Sequence, residues 1–289
     1  MTNSLKIIDD IVLHSDHHNK PMLVDARFVA STYAKPVVIF VHGFKGFKDW
    51  GHWNIIANEM AYNGFCVVKP NLSHNGTTPE KPLDFDDLEA FSNNTYSIEL
   101  DDLGTLIDYL FSTTCTIPNL DLSKVYLVGH SRGGGLTLLK AHEDDRIKGV
   151  ITWASVADYG TRWDEETMEK WKATGTHHIY NGRTKQNMPM KYNIVEDYHD
   201  NIDRLNIRKA VESLKVPLLH IHGDQDPTIN IEEAKEMSTW NKQSELYIVE
   251  GADHVFNGSH PFEGKELPEN SQILIDKTLS FLRQISGNS

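Results

Sequence analysis

The chain has 289 residues, 39% of them hydrophobic, and a formal net charge of −13. An acidic chain with no Lys/Arg-rich stripe lacks the clustered positive charge that phosphate-rich partners need, so nucleic acid is excluded as a partner. No run approaches the ~18 apolar residues of a membrane span, and the two cysteines, Cys66 and Cys115, suggest neither a disulfide framework nor a metal site. The N-terminus, 1–10, carries charges among its apolar residues and has no h-region, so it is not expected to be a signal peptide. The expectation is a cytoplasmic protein, with homo-oligomerisation left open.

Taken in order, residues 5–13 and 22–30 mix apolar and β-branched residues and predict two opening strands, a hairpin at a sheet edge. Residues 37–41, Val-Val-Ile-Phe-Val, are apolar without alternation, as in a strand covered on both faces. A loop ending in Gly51 follows. Then Trp53–Tyr62 shows helical spacing with Gly64 as a stop, and 65–69 is the next strand. Residues 71–95 form a long polar loop with an acidic run, Asp84, Asp86, Asp87 and Glu89. That run lacks EF-hand spacing and reads as a solvated face. Residues 98–111 predict an amphipathic helix, 125–128 a strand, 133–141 a helix and Ile147–Trp153 a strand.

Beyond this the rhythm breaks. About sixty residues separate the strand ending near Ala154 from the next, starting at Val216, far more than a normal connection. Within them 163–171, 192–198 and 204–214 look helical, and 176–180 and 187–190 look like a short antiparallel pair. Residues 156–213 are read as a cap inserted into one α/β domain that spans 1–289. Strands at 216–221 and 246–249, the helix Ile231–Trp240 and a last helix at 271–285 complete the chain. Alternating strands and helices predict a mostly parallel central sheet flanked by helices.

The sequence Gly129-His130-Ser131-Arg132-Gly133 matches G-x-S-x-G between a strand and a helix. So tight a turn forces the central residue into a strained backbone, and glycines on either side relieve the crowding. Ser131 is the candidate nucleophile, held at a helix N-terminus that favours negative charge. A hydroxyl needs a base, and the base needs an orienting carboxylate, in the order Ser, Asp/Glu, His. His222-Gly223-Asp224-Gln225-Asp226 follows one strand and supplies two carboxylates. Asp226 is preferred, because Asp224 falls in the turn, where Asp often bonds its own backbone. His254 stands directly after the last strand and is the candidate base, with His260 as its nearby rival. The pairs His17-His18 and His177-His178 lack H-E-x-x-H spacing and are read as surface histidines. No metal and no cofactor are called for.

An oxyanion requires at least two preorganised donors. Arg132 N–H is one candidate. Phe44 N–H is the other, from the loop His42-Gly43-Phe44-Lys45-Gly46, whose glycines allow close approach or simply shape a turn. His42 is expected to brace this loop beside the substrate. Trp163, Trp171, Met190 and Tyr192 of the cap are candidate pocket walls, with core packing as the alternative for each. Arg162, Arg183, Lys185 and Lys191 would meet a substrate carboxylate or pair with nearby acids.

These motifs together, His42-Gly43-Phe44, Gly129-His130-Ser131-Arg132-Gly133, His222-Gly223-Asp224-Gln225-Asp226 and Gly251-Ala252-Asp253-His254, resemble the α/β-hydrolase superfamily from about residue 20 to the end. The short motifs and the cap after the sixth strand resemble bacterial feruloyl or cinnamoyl carboxylesterases and the dienelactone-hydrolase-like group. The resemblance implies Ser131 as nucleophile, Asp226 as acid, His254 as base, and Phe44 and Arg132 as oxyanion donors. Dienelactone hydrolases proper carry Cys where Ser131 stands, and haloalkane dehalogenases and epoxide hydrolases carry Asp, so those reactions are not expected. The expected function is hydrolysis of a small-molecule carboxylic ester with a small or aromatic acyl group. A thioesterase or peptidase would use the same machinery, and a non-catalytic ligand-binding protein is the reading from another class.

Overall fold

A computed structural model describes residues 4–287. Residues 1–3, part of the stretch read as lacking a leader, lie outside the described residues. Ten strands and nine helices are described. An eight-stranded sheet has the order β1(Leu5–His14), β2(Pro21–Val29), β4(Cys66–Pro70), β3(Lys35–Val41), β5(Leu120–His130), β6(Ile147–Trp153), β9(Leu218–Gly223) and β10(Ser244–Val249). The predicted opening hairpin lies at one edge. β2 is antiparallel to both β1 and β4, and the remaining pairs are parallel.

Strand β3 shows why a run without alternation predicts burial on both faces. Val37, Ile39 and Val41 enter one hydrophobic cluster, with Leu100, Leu103 and Leu106 of α3(Tyr96–Phe111) and Leu136 and Leu139 of α4(Arg132–Glu143). Val38 and Phe40 enter the other, with Trp53 and Ile56 of α1(Trp53–Tyr62) and Leu274 and Leu282 of α9(Glu269–Ser286). Every residue of the strand is buried.

Element ends differ from the sequence expectations where polar residues hide them. β5 begins at Leu120 rather than 125, because the polar stretch at its start pairs with Lys35 and Pro36 across a register shift. α3 begins at Tyr96 because the Thr95 hydroxyl accepts from Ile98 N–H at 3.2 Å. The loop 71–95 contains a short helix, α2(Leu88–Ser92), capped by Asp87, whose carboxylate accepts from Ala90 N–H at 2.8 Å. One member of the acidic run is therefore a helix cap. Of the other acids, Asp84 meets Arg183 and Asp86 meets Lys81.

Between β6 and β9, which pair directly, the chain makes its long excursion through α5(Glu165–Thr174), the antiparallel hairpin β7(Thr176–Asn181) and β8(Gln186–Lys191), α6(Asn193–Asp200) and α7(Ile207–Ser213). The hairpin reaches over the loop 71–95. Arg183 donates to Asp84 at 3.1 Å and to Leu83 O at 2.8 Å, and Gln186 donates to Phe85 O at 3.0 Å. After β9 come α8(Ile231–Trp240), β10 and α9.

Strand order reverses between β3 and β5, since β4 lies on one side of β3 and β5 on the other. In an open α/β sheet the crevice beyond the carboxyl ends at such a point is where ligands bind. No described helix is long and apolar enough to cross a membrane.

Candidate active site

The turn from β5 into α4 sits at that crevice. Ser131 has φ +57° and ψ −121°, a conformation that costs on the order of 1–3 kcal/mol for a residue with a side chain. The surroundings leave it no alternative. A Cβ on Gly129 would stand 2.2 Å from Gly133 O, and one on Gly133 would stand 2.4 Å from Val41 O. Backbone closes in on both sides, so these two positions admit only glycine. Ser131 N–H donates to Trp153 O at 2.9 Å, which ties the turn to the end of β6.

His254 follows β10, and its Nε2 lies 3.1 Å from Ser131 Oγ. Its Nδ1 lies 2.8 Å from Asp226 Oδ2. A carboxylate only accepts, so His254 carries its proton on Nδ1 and presents Nε2 as acceptor to the Ser131 hydroxyl. The Asp226 side chain is wholly buried. Its Oδ1 accepts from Thr228 N–H at 2.7 Å and Ile229 N–H at 2.9 Å. Burial works against ionising this carboxyl, but hydrogen bonds from His222 and His254, the electrostatic attraction of His254 and the Ile229 amide outweigh it and hold it well below the usual carboxylate range.

Two histidines to which the sequence reading gave no role support this arrangement. His222 Nε2 lies 3.0 Å from Ile229 O and 3.3 Å from Asp226 Oδ2, a shared donor beneath the carboxylate. His130 Nε2 donates to His254 O at 2.8 Å, and burial pushes its imidazole down to about 3, so it is neutral. A strand-end His four residues before Asp226 and a His beside the nucleophile were the available signals. The rivals stand elsewhere. Asp224 accepts from Gly251 N–H at 2.7 Å, tying the β9 and β10 loops together rather than bonding its own turn. His260 Nδ1 accepts from Gly51 N–H at 2.8 Å and its ring packs against Phe47 and Trp50.

The loop after β3 presses on the nucleophile: a Cβ on Gly43 would stand 2.9 Å from Ser131 Cβ. Gly46 N–H closes on Gly43 O at 3.0 Å, making a four-residue turn with Lys45 third, at φ +55°. Among the described residues neither Phe44 N–H nor Arg132 N–H meets a protein acceptor. His42 is buried. Its Nδ1–H donates to Gly43 O at 2.9 Å and its Nε2 faces Leu72 N–H at 3.4 Å; burial pushes its imidazole down to about 4. It therefore braces the loop as a neutral group. The Arg132 guanidinium lies 4.6 Å from the Phe44 ring centroid and 4.9 Å from that of Tyr96, and donates to Glu99 at 3.3 Å.

The cleft divides at Ser131 into two arms that share Phe44, Lys45 and His254. The larger, about 750 Å³, is walled by Trp163, Ile179, Met190 and Tyr159. The smaller, about 320 Å³, runs beneath Arg183 past Trp50 and Phe85, with His42 on its wall. Of the four predicted cap walls, Trp163 and Met190 are on the cleft and Trp171 and Tyr192 are not. Trp171 is 1% exposed, its indole N–H donates to Met190 O at 2.8 Å, and Tyr192 packs edge-on against it. Both lie under the wall. Of the basic residues expected to meet a substrate, Arg162 pairs with Glu233 and Arg183 with Asp84, while Lys191 donates to Asn93. Among the described residues no cluster of His, Cys, Asp and Glu has the makings of a metal site.

A family model described as "Alpha/beta hydrolase family" matches residues 38–264. The chain belongs to the alpha/beta hydrolase family. Solved structures share the fold over nearly the whole chain. Est1E from Butyrivibrio proteoclasticus with bound ferulic acid is 17% identical, with a TM-score of 0.71, over 95% of this chain and 99% of that one. The esterase domain of a Rhodothermus marinus protein is 16% identical, with a TM-score of 0.63, over 97% and 98%. A Klebsiella pneumoniae protein assigned as a dienelactone hydrolase is 15% identical, with a TM-score of 0.62, over 98% and 100%. Among curated proteins none matches the chain. The resemblance drawn from the four motifs thus agrees with the family, and the likeness to these structures is one of fold.

Proposed function

We propose that the chain is a serine-dependent carboxylic ester hydrolase that works through an acyl-enzyme. The observation that carries this reading is the relay from Ser131 Oγ through His254 to Asp226, at 3.1 and 2.8 Å, with the serine in a strained turn at the carboxyl edge of the sheet. In this mechanism Ser131 Oγ attacks the ester carbonyl as its proton passes to His254 Nε2. The Asp226 carboxylate holds the tautomer and stabilises the imidazolium. The carbonyl oxygen gains negative charge between Phe44 N–H and Arg132 N–H, donors that need no rearrangement. His254 then gives its proton to the departing alkoxide. Water, deprotonated by His254, cleaves the acyl-enzyme. These steps use the chain's own groups and require no cofactor.

The segment 156–213 acts as a cap, with Trp163 and Met190 walling the larger arm. Its apolar and aromatic lining suits a small or aromatic acyl group, and the ferulic acid bound to Est1E is a planar aromatic acid of that kind. Two free cysteines fit a reducing, cytoplasmic setting. Labelling with a fluorophosphonate probe tests the nucleophile: the wild-type chain reacts and Ser131→Ala does not. Turnover of p-nitrophenyl esters, acyl-CoAs and peptide amides then ranks the substrates. If Ser131→Ala kept as much as roughly a tenth of the esterase activity, Ser131 would not be the nucleophile. Higher kcat/KM on acyl-CoAs would make the chain a thioesterase.

A further inference from the structure

Four fixed cations line the two arms of the cleft: Lys45, Arg132, Arg162 and Arg183. Three have carboxylate partners. Arg132 meets Glu99 at 3.3 Å, Arg162 meets Glu233 at 3.0 Å and Arg183 meets Asp84 at 3.1 Å. Lys45 forms no ion pair and no hydrogen bond among the described residues, although it is half-buried and lies two residues from the glycine packed against Ser131. Among the described residues no carboxylate lines the smaller arm, in a chain whose net charge is −13.

The backbone adds an independent observation. Lys45 is the third residue of the Gly43–Gly46 turn, at φ +55°. That position favours glycine, which has no Cβ to crowd the following carbonyl oxygen, or asparagine, whose short polar side chain bonds locally. Holding a lysine in it costs stability, and strained residues persist where they serve a site. Burial, opposed by no neighbouring anion, also lowers the affinity of this ammonium for its proton. A substrate anion would replace the missing partner.

We infer that Lys45 is a specificity-determining residue that receives a carboxylate carried on one arm of the ester, in the smaller arm of the cleft between Lys45 and the Arg183 wall. A single unpaired ammonium matches a single negative charge, which favours a carboxylate over a doubly charged phosphate. The walls Trp50, Trp53 and Phe85 place aromatic or flat apolar matter between the scissile ester and that charge. This inference rests on the esterase reading.

Two matched pairs test it and locate the charge. Mono-4-nitrophenyl adipate against 4-nitrophenyl hexanoate puts the carboxylate on the acyl side. 4-Acetoxybenzoate against its methyl ester puts it on the leaving side. In one pair the wild-type chain should favour the anion in kcat/KM by roughly tenfold or more. In Lys45→Met that ratio should collapse toward or below one. Lys45→Gly, which suits φ +55° and so protects the fold, should collapse it equally. The ratio is read within each variant, so a general loss of activity does not mimic the effect. A preference for the neutral ester in both pairs, or a ratio that survives both substitutions, overturns the inference while leaving ester hydrolysis standing. If no ester is turned over, adipate and benzoate titrated calorimetrically into the wild type and Lys45→Met decide separately. Binding lost with Lys45 keeps the anion site and removes the esterase reading; binding indifferent to Lys45 removes the site.

Discussion

Asp224 and Asp226 are two residues apart on one loop, and the structure separates them by what their oxygens meet. Asp226 accepts from His254 and from the amides of residues 228 and 229, whereas Asp224 fastens Gly251. Asp226→Asn removes the acceptor that fixes the His254 tautomer. It should lower kcat by about 10⁴-fold with the fold intact, by analogy with loss of the orienting carboxylate in other serine hydrolases. Asp224→Asn should cost little activity. Steady-state kinetics on one activated ester decides, and comparable losses in both variants would refute the assignment. The juxtaposition was legible because the chemistry demands an order along the chain and a place at strand ends, and both survive in sequence. His222 and His130 were not legible in that way. His130 acts by one hydrogen bond and His222 by a donor shared between two acceptors, and in both cases the partners are set by the folded loops. Lys45 likewise stands out only once its turn is seen to close and its ion-pair partner is found missing.

Among the elements, the sheet was read nearly whole from its apolar runs, and so were the small hairpin β7–β8 and the helix starting at Trp53. The excursion between β6 and β9 yielded its elements but not its faces. Trp163, Trp171, Met190 and Tyr192 all look alike in sequence, since aromatic and Met residues suit a cleft wall and a packed interior equally. The structure divides them, and the division is measurable. Trp171→Ala empties a buried site and breaks the bond to Met190 O, and should cost about 3–5 kcal/mol of stability. Trp163→Ala removes a cleft wall and should shift discrimination among acyl groups by about 1–3 kcal/mol with little change in Tm. Melting curves and an ester series on the two variants test this pair. If Trp163→Ala melts early with the wild-type ester ranking, the wall is interior packing.

At the scale of the molecule, buried titratable groups set the response to acid. Burial pushes His42, His52 and His74 down to about 4, and His130 and His220 down to about 3. The unfolded chain protonates these side chains near pH ~6.5. Between there and their folded values the unfolded state binds more protons, so stability falls as pH falls. Two carboxyls act the other way. Burial raises Asp102 to about 6 and also raises Glu99, so folding takes up protons there over part of the same window. Burial lowers His260 as well, and six sites against two leave the histidines in command. Tm should therefore drop steadily from pH 7.5 to pH 5, by up to about 1.4 kcal/mol of stability per pH unit for each net proton. A Tm that held level or rose over that range would show that these imidazoles are accessible to protons in the folded state. Acid would act on the whole sheet, because these rings are spread from the loop after β3 to the interior of β9.

Among the described residues the bonds that fix Ser131, His254 and Asp226 come from the ends of β5, β6, β9 and β10 and the loops that follow them; from 156–213 Val156 N–H donates to Ser131 O at 3.4 Å, and none comes from 160–213. The reacting groups are thus set by one part of the chain, and one wall of the larger arm, with Trp163, Ile179 and Met190, by another, joined to it at β6 and β9. Variation within 160–213 would therefore reshape that wall while leaving in place the strand ends that hold Ser131, His254 and Asp226.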